Sequence, residues 1–202
     1  NIKRTNNLRY NLFDFNTKQD LEDLPTTWDG YDIFPFRSKF FAADGKQIVA
    51  MSGKFHSAWG EFGGFKHKDA LLYEAASMVA FGANVNIGDQ LHPSGKMDLE
   101  TYRNIGHAFD YVEIIEEYGV GGKHISNIGY YYPFNVRSGE GTARMLLENQ
   151  INFNVINRME DWSDLETIII PSATQLNNKI VSKGANIIEE TIGSISTKYW
   201  EP

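Results

Sequence analysis

The feature that most constrains the fold of this chain is a unit that occurs twice in succession: a short apolar run, a cluster of His, Trp, carboxylate and glycine residues, and a helix-like segment. The first copy runs from Gln47-Ile48-Val49-Ala50-Met51-Ser52 through Lys54-Phe55-His56-Ser57-Ala58-Trp59-Gly60-Glu61-Phe62-Gly63-Gly64 to a helix over 70–81, opened by Asp69 and stopped by Gly82. The second runs from Ala83-Asn84-Val85-Asn86-Ile87 through Gly88-Asp89-Gln90-Leu91-His92-Pro93 to a helix capped by Asp98 and reaching about Tyr118. Strand, loop and helix in this order predict a parallel α/β arrangement, because parallel strands need a crossover connection. Polar clusters that follow buried strands mark the carboxyl ends where such sheets carry their sites.

The residue types in those clusters suit a sugar. Its C–H faces stack on aromatic rings, and its hydroxyls need directional donors and acceptors. The formal charge of −7 is spread along the 202 residues, which disfavours nucleic acid and anionic membrane as partners. There is no cysteine, so neither a disulfide nor a cysteine nucleophile of the glutamine-amidotransferase type is available. The chain has no apolar run of about 18 residues that would predict a membrane-spanning helix. Its first residues, Asn1-Ile2-Lys3-Arg4-Thr5-Asn6-Asn7, lack both an initiator Met and the apolar stretch of a signal peptide. They read as a cut, and the cytoplasm is the expected compartment.

The first forty residues read as loop-rich and aromatic. Beyond the glycine-rich linker 119–123 the alternation continues, with strands over 125–132, 151–156 and 165–171 and helices over 139–149 and 176–183. A further strand is expected from Asn186. This half reads as a small open sheet of flavodoxin type, helices on both faces. Ser138-Gly139-Glu140-Gly141-Thr142 is a poor phosphate cradle, having a glutamate in the loop and no suitably spaced lysine; it reads as a helix cap.

Trp28-Asp29-Gly30-Tyr31-Asp32, the stretch 54–64, Tyr73-Glu74-Ala75 and above all Ile87-Gly88-Asp89-Gln90-Leu91-His92-Pro93 resemble a glycoside-hydrolase-like group related to α-L-fucosidases. In that group a TIM barrel precedes a flavodoxin-like domain similar to the trimerisation domain of β-galactosidases. The resemblance implies that residues 1–120 are the carboxyl-terminal part of a TIM barrel, contributing about three of its eight strands. Residues 121–202 are then an incomplete flavodoxin-like domain. It also implies a carbohydrate substrate, an α-L-fucosidase-like or β-galactosidase-like activity in the whole enzyme, and a homo-oligomer. No cofactor is expected. By itself the chain is expected to be inactive and to self-associate through open sheet edges.

The resemblance carries Glu22, His56, Trp59, Glu61, Asp89 and His92 into the sugar site, and Trp28 joins them as a second aromatic candidate. Glycoside hydrolysis needs two carboxyl groups, about 5 to 5.5 Å apart for retention and about 6.5 to 9.5 Å for inversion. Glu61 and Asp89 follow consecutive strands and are the expected catalytic pair, with Trp59 and His92 on the rim of their pocket. The structural alternative is that Asp89 holds its loop by accepting backbone N–H groups and that Glu61 caps or pairs nearby. The spacing of the histidines and carboxylates matches no metal motif. A noncatalytic carbohydrate-binding or oligomerisation module derived from such an enzyme is the alternative function.

Overall fold

Among the described residues, period and spacing in the sequence become two small parallel sheets and four helices. The computed structural model describes residues 3–4, 15–28, 30–132, 136–157, 159 and 161–170, and the chain divides into two units, Asn1–Lys123 and His124–Pro202.

The first unit has a four-stranded sheet of β1 (Lys3–Arg4), β2 (Gln19–Glu22), β3 (Ile48–Gly53) and β4 (Asn84–Gly88), all parallel and each beside its neighbour in sequence. That is one strand more than the three expected. Helix α1 (Phe34–Ala42) connects β2 to β3, α2 (Lys68–Ala80) connects β3 to β4, and α3 (Leu99–Gly119) follows β4. Helices α2 and α3 close on Leu71, Ala75, Val79, Ala108 and Val112, with Val85 and Ile87 of β4 packed against this cluster. Burial of such a shared face, more than propensity, is what stabilises helices of this length.

Helix ends show how local chemistry sets the boundaries. His67 caps α2, its Nδ1 accepting the Asp69 N–H at 3.3 Å, so Asp69 lies in the first turn instead of opening the helix. A carboxylate there complements the helix dipole. Gly82, at φ +82°, ends the helix in a conformation that costs a glycine little. Asp98 caps α3 as its spacing predicts, accepting the Glu100 N–H at 3.0 Å.

The described part of the first forty residues has more regular structure than expected, since it contains β2 and most of α1. Strand β2 reads as polar because Gln19 is fully buried, yet its amide is satisfied by Asn16 and by Asp44 at 2.7 Å. Helix α1 buries Phe34, Phe36, Phe40 and Phe41 together with Arg37, Ser38 and Lys39. Arg37 lies 3.5 Å from the buried Asp23. A helix buried nearly all round has no polar stripe, and so gives no amphipathic signal.

The second unit has a three-stranded parallel sheet in the order β6-β5-β7, from β5 (Ile128–Tyr130), β6 (Asn154–Val155) and β7 (Thr167–Ile169), with α4 (Val136–Glu148) between β5 and β6. The strands are shorter than the expected runs, and α4 starts three residues earlier than expected. Tyr130 and Phe153 are fully buried and meet edge to face at 5.6 Å, while Tyr131, Ile156, Trp162 and Leu165 form a second cluster. The expected helix over 176–183 and the strand from Asn186 lie outside the described residues.

Candidate functional site

β2, β3 and β4 end at Glu22, Gly53 and Gly88, and Gly53 pairs with Gly88 in register. Trp59 lies across these three ends. Its Nε1–H donates to Glu22 Oε1 at 2.9 Å, and its ring meets that of Phe55 edge to face at 4.4 Å. A Cβ on residue 88 would come within 2.5 Å of Trp59 Cη2, so only a glycine at 88 lets the indole approach the end of β4 this closely. Trp59 remains 42% exposed. With its N–H engaged, what it offers to a ligand is ring.

The loop carrying Trp59 is pinned from inside. Glu61 Oε2 accepts the backbone N–H groups of Ser57 at 2.7 Å and His56 at 2.9 Å. These bonds, Ser57 first, hold the Glu61 carboxyl below its ordinary range against a smaller opposing effect of burial, with the charges of His56 and Lys54 adding to the shift. Lys54 is buried, and its ammonium donates to the carbonyl oxygens of Gly64 at 2.9 Å, Glu61 at 3.2 Å and Phe62 at 3.3 Å. The loop closes at its base through Lys66 N–H to Lys54 O at 2.7 Å, and Lys54 N–H reaches β4 at Gly88 O, 2.9 Å away.

The neighbouring loops lock onto it. Gln90 donates through Nε2 to Glu61 O at 2.8 Å and accepts the Gly60 N–H. The His92 ring packs edge to face on Phe62 at 5.4 Å, and its Nδ1 meets Ser94 Oγ at 2.7 Å. Asp89 accepts the Gln90 N–H at 2.7 Å and bonds to the Tyr102 side chain of α3. From the loop after β2, the Thr27 hydroxyl donates to Ser57 O. Trp28 follows Thr27 and is partly buried, with an indole N–H that is shielded from solvent and makes no hydrogen bond among the described residues.

Of the seven candidates, Glu22 and Trp59 are in direct contact. Glu61 and His56 meet through the backbone, His92 and Asp89 reach the same loop through Phe62 and Gln90, and Trp28 is adjacent in sequence to its contact at Thr27.

Beneath the loop lies a buried group that the sequence reading did not single out as functional. Lys66 Nζ contacts Glu74 Oε2 at 2.8 Å, Glu74 Oε1 at 3.0 Å and Ser52 Oγ at 2.9 Å. Ser52 also donates to Glu74, and the Tyr31 hydroxyl does so at 3.0 Å. Burial, and then the facing Glu74 carboxylate, push the Tyr31 hydroxyl well above its ordinary range. The only sequence signal was the presence of Tyr31 and Glu74 in the quoted motifs. Among the described residues no group of three or more His, Asp or Glu side chains is arranged to hold a metal ion, and no helix is long and apolar enough to cross a membrane.

The fold is shared with a glycoside hydrolase. The matched structure is α-L-fucosidase isoenzyme 2 from Paenibacillus thiaminolyticus, 36% identical with a TM-score of 0.81 over 88% of this chain. The chain spans 29% of the length of that fucosidase. No family model and no curated protein matches the chain.

Proposed function

We propose that this chain forms one side of the sugar site of an α-L-fucosidase-like glycoside hydrolase. The single observation that carries this reading is Trp59, a residue 42% exposed whose indole is held across the ends of three parallel strands by Glu22, Phe55 and Gly88. A ring fixed in this way stacks on a sugar without losing rotamer freedom on binding. The similarity to a fucosidase makes L-fucose the sugar to test first.

In this reading the first unit is part of a TIM barrel, supported by its parallel sheet of consecutive strands and its strand–helix alternation. The second unit is flavodoxin-like. Its order, second strand, first strand, third strand, is the opening of the 2-1-3-4-5 sheet of that fold. Residues 1–120 and 121–202 thus belong to two domains, the second serving homo-oligomerisation.

Glu61 and Asp89 supply the carboxyl pair. Because the loop amides favour its charged form, Glu61 suits the group that stays ionised, the nucleophile or base, and Asp89 is the second carboxyl group of the pair. One observation favours the alternative of a noncatalytic sugar-binding module: Glu61 Oε2 is already engaged by two backbone amides. Hydrolysis of an aryl α-L-fucoside by the complete enzyme separates the two. Glu61→Gln and Asp89→Asn are each expected to lower kcat by about 10²-fold or more. Activity of both variants within about tenfold of the parent would assign the carboxylates to the loops.

A further inference from the structure

The Trp59 platform stands on an arch of three residues, Ala58, Trp59 and Gly60, and both feet of that arch are fixed. At one foot the Glu61 carboxylate takes the N–H groups of His56 and Ser57. At the other the Lys54 ammonium takes the carbonyl oxygens of Glu61, Phe62 and Gly64. The turn between them is closed by Glu61 N–H to Ala58 O at 3.1 Å.

An ammonium has three N–H donors and no acceptor. Three carbonyl oxygens at 2.9 to 3.3 Å, all from one short segment of loop, match that inventory. Lys54 is 3% exposed, and a buried ammonium is tolerated only where its donors are satisfied. The converse also holds, since three carbonyl dipoles turned toward one point repel one another unless a cation sits there. The segment 61–64 therefore has this shape because Lys54 is charged and in place.

We propose that Lys54 is a positioning residue of the sugar site, its ammonium gathering the Glu61, Phe62 and Gly64 carbonyls so that the arch holds Trp59 over Gly88 and against Glu22. It touches no sugar. It acts through Trp59, and the inference rests on the sugar-platform reading of that ring. The site loop is on this account held in shape by its own residues.

The test uses the complete enzyme, with L-fucose as the probe. In Lys54→Met, amide hydrogen exchange over 56–64 is expected to speed up by about tenfold or more while β3 and α2 keep their protection, as local opening requires. The Kd for L-fucose is expected to rise by about tenfold or more, because the loop must then be ordered on binding. Should Lys54→Met fail to fold, Lys54→Gln, which keeps amide donors but neither the charge nor the reach, is read in the same way. Wild-type exchange over 56–64, or an unchanged Kd, in the variant that folds overturns the proposal. Complete wild-type enzyme that binds no L-fucose overturns the sugar reading instead, and the exchange pattern still decides whether Lys54 orders the loop.

Discussion

The loops that follow β3 and β4 carry the two clusters singled out in the sequence, yet they are built differently. The β3 loop is held mainly by buried charges, Lys54 on its carbonyls, Lys66 on Glu74 beneath it and Glu22 on the indole it carries, to which Glu61 adds exposed local bonds to His56 and Ser57. The β4 loop is held mostly by exposed groups close in sequence: Asp89 on the N–H of Gln90, His92 on Ser94, and Asp98 on Glu100. It is tied to the β3 loop through Gln90 and His92. A buried charge without its partner is costly, while an exposed local bond exchanges readily with water. The β3 loop is therefore the rigid wall of the site and the β4 loop the adjustable one.

The largest expected difference comes from beneath the β3 loop. Lys66→Met leaves Glu74 buried without its cation and is expected to destabilise the first unit by about 3 to 5 kcal/mol, measured by urea unfolding. Replacing both partners, Lys66→Met with Glu74→Leu, is expected to restore much of that loss. If the single variant costs no more than a surface substitution, the β3 loop is not held from below.

Gly88→Ala comes next, because its Cβ would overlap the indole. It is expected to cost about 1 to 3 kcal/mol by overpacking, or to displace Trp59, which would appear as loss of the indole N–H protection supplied by Glu22. Acidification is gentler. The folded pKa of Glu61 lies below its unfolded value, so its contribution is complete at neutral pH and is lost as pH falls through the folded pKa. Amide protection at His56 and Ser57 is expected to fall in that acid range, and Glu61→Gln is expected to remove the pH dependence. The smallest effect is assigned to His92→Ala in the β4 loop, within about 0.5 kcal/mol by the same unfolding measurement. A cost comparable to that of Lys66→Met would erase the contrast between the loops.

What the sequence disclosed follows from what leaves a periodic or positional trace. Strands β3 and β4, the α2–α3 pair and the Asp98 cap were legible because apolar spacing and capping are local properties. Trp59 was legible as a ring at a strand end. Family resemblance implies that Glu22 belongs to the same site, but its hydrogen bond to Trp59, 37 residues away, leaves no trace in the sequence, since patterning does not record which distant atoms meet. Strand β2 and helix α1 were hidden by buried polar residues, Gln19, Arg37 and Lys39, that read as surface. Lys54 gives no functional signal in the sequence, because a lysine in a glycine-rich loop reads as solvated, whereas in the structure three carbonyl oxygens surround it.

The central claim is that Trp59 is a fixed sugar platform. Titration of the ¹⁵N-labelled complete enzyme with L-fucose, following the indole Nε1–H resonances, tests it most directly. The expected result is a saturable shift of the Trp59 resonance, assigned by its absence in Trp59→Phe, with the buried Trp162 of the second unit unmoved. A Trp59 resonance that stays in place at saturating sugar, or one that moves no more than Trp162, would contradict the account.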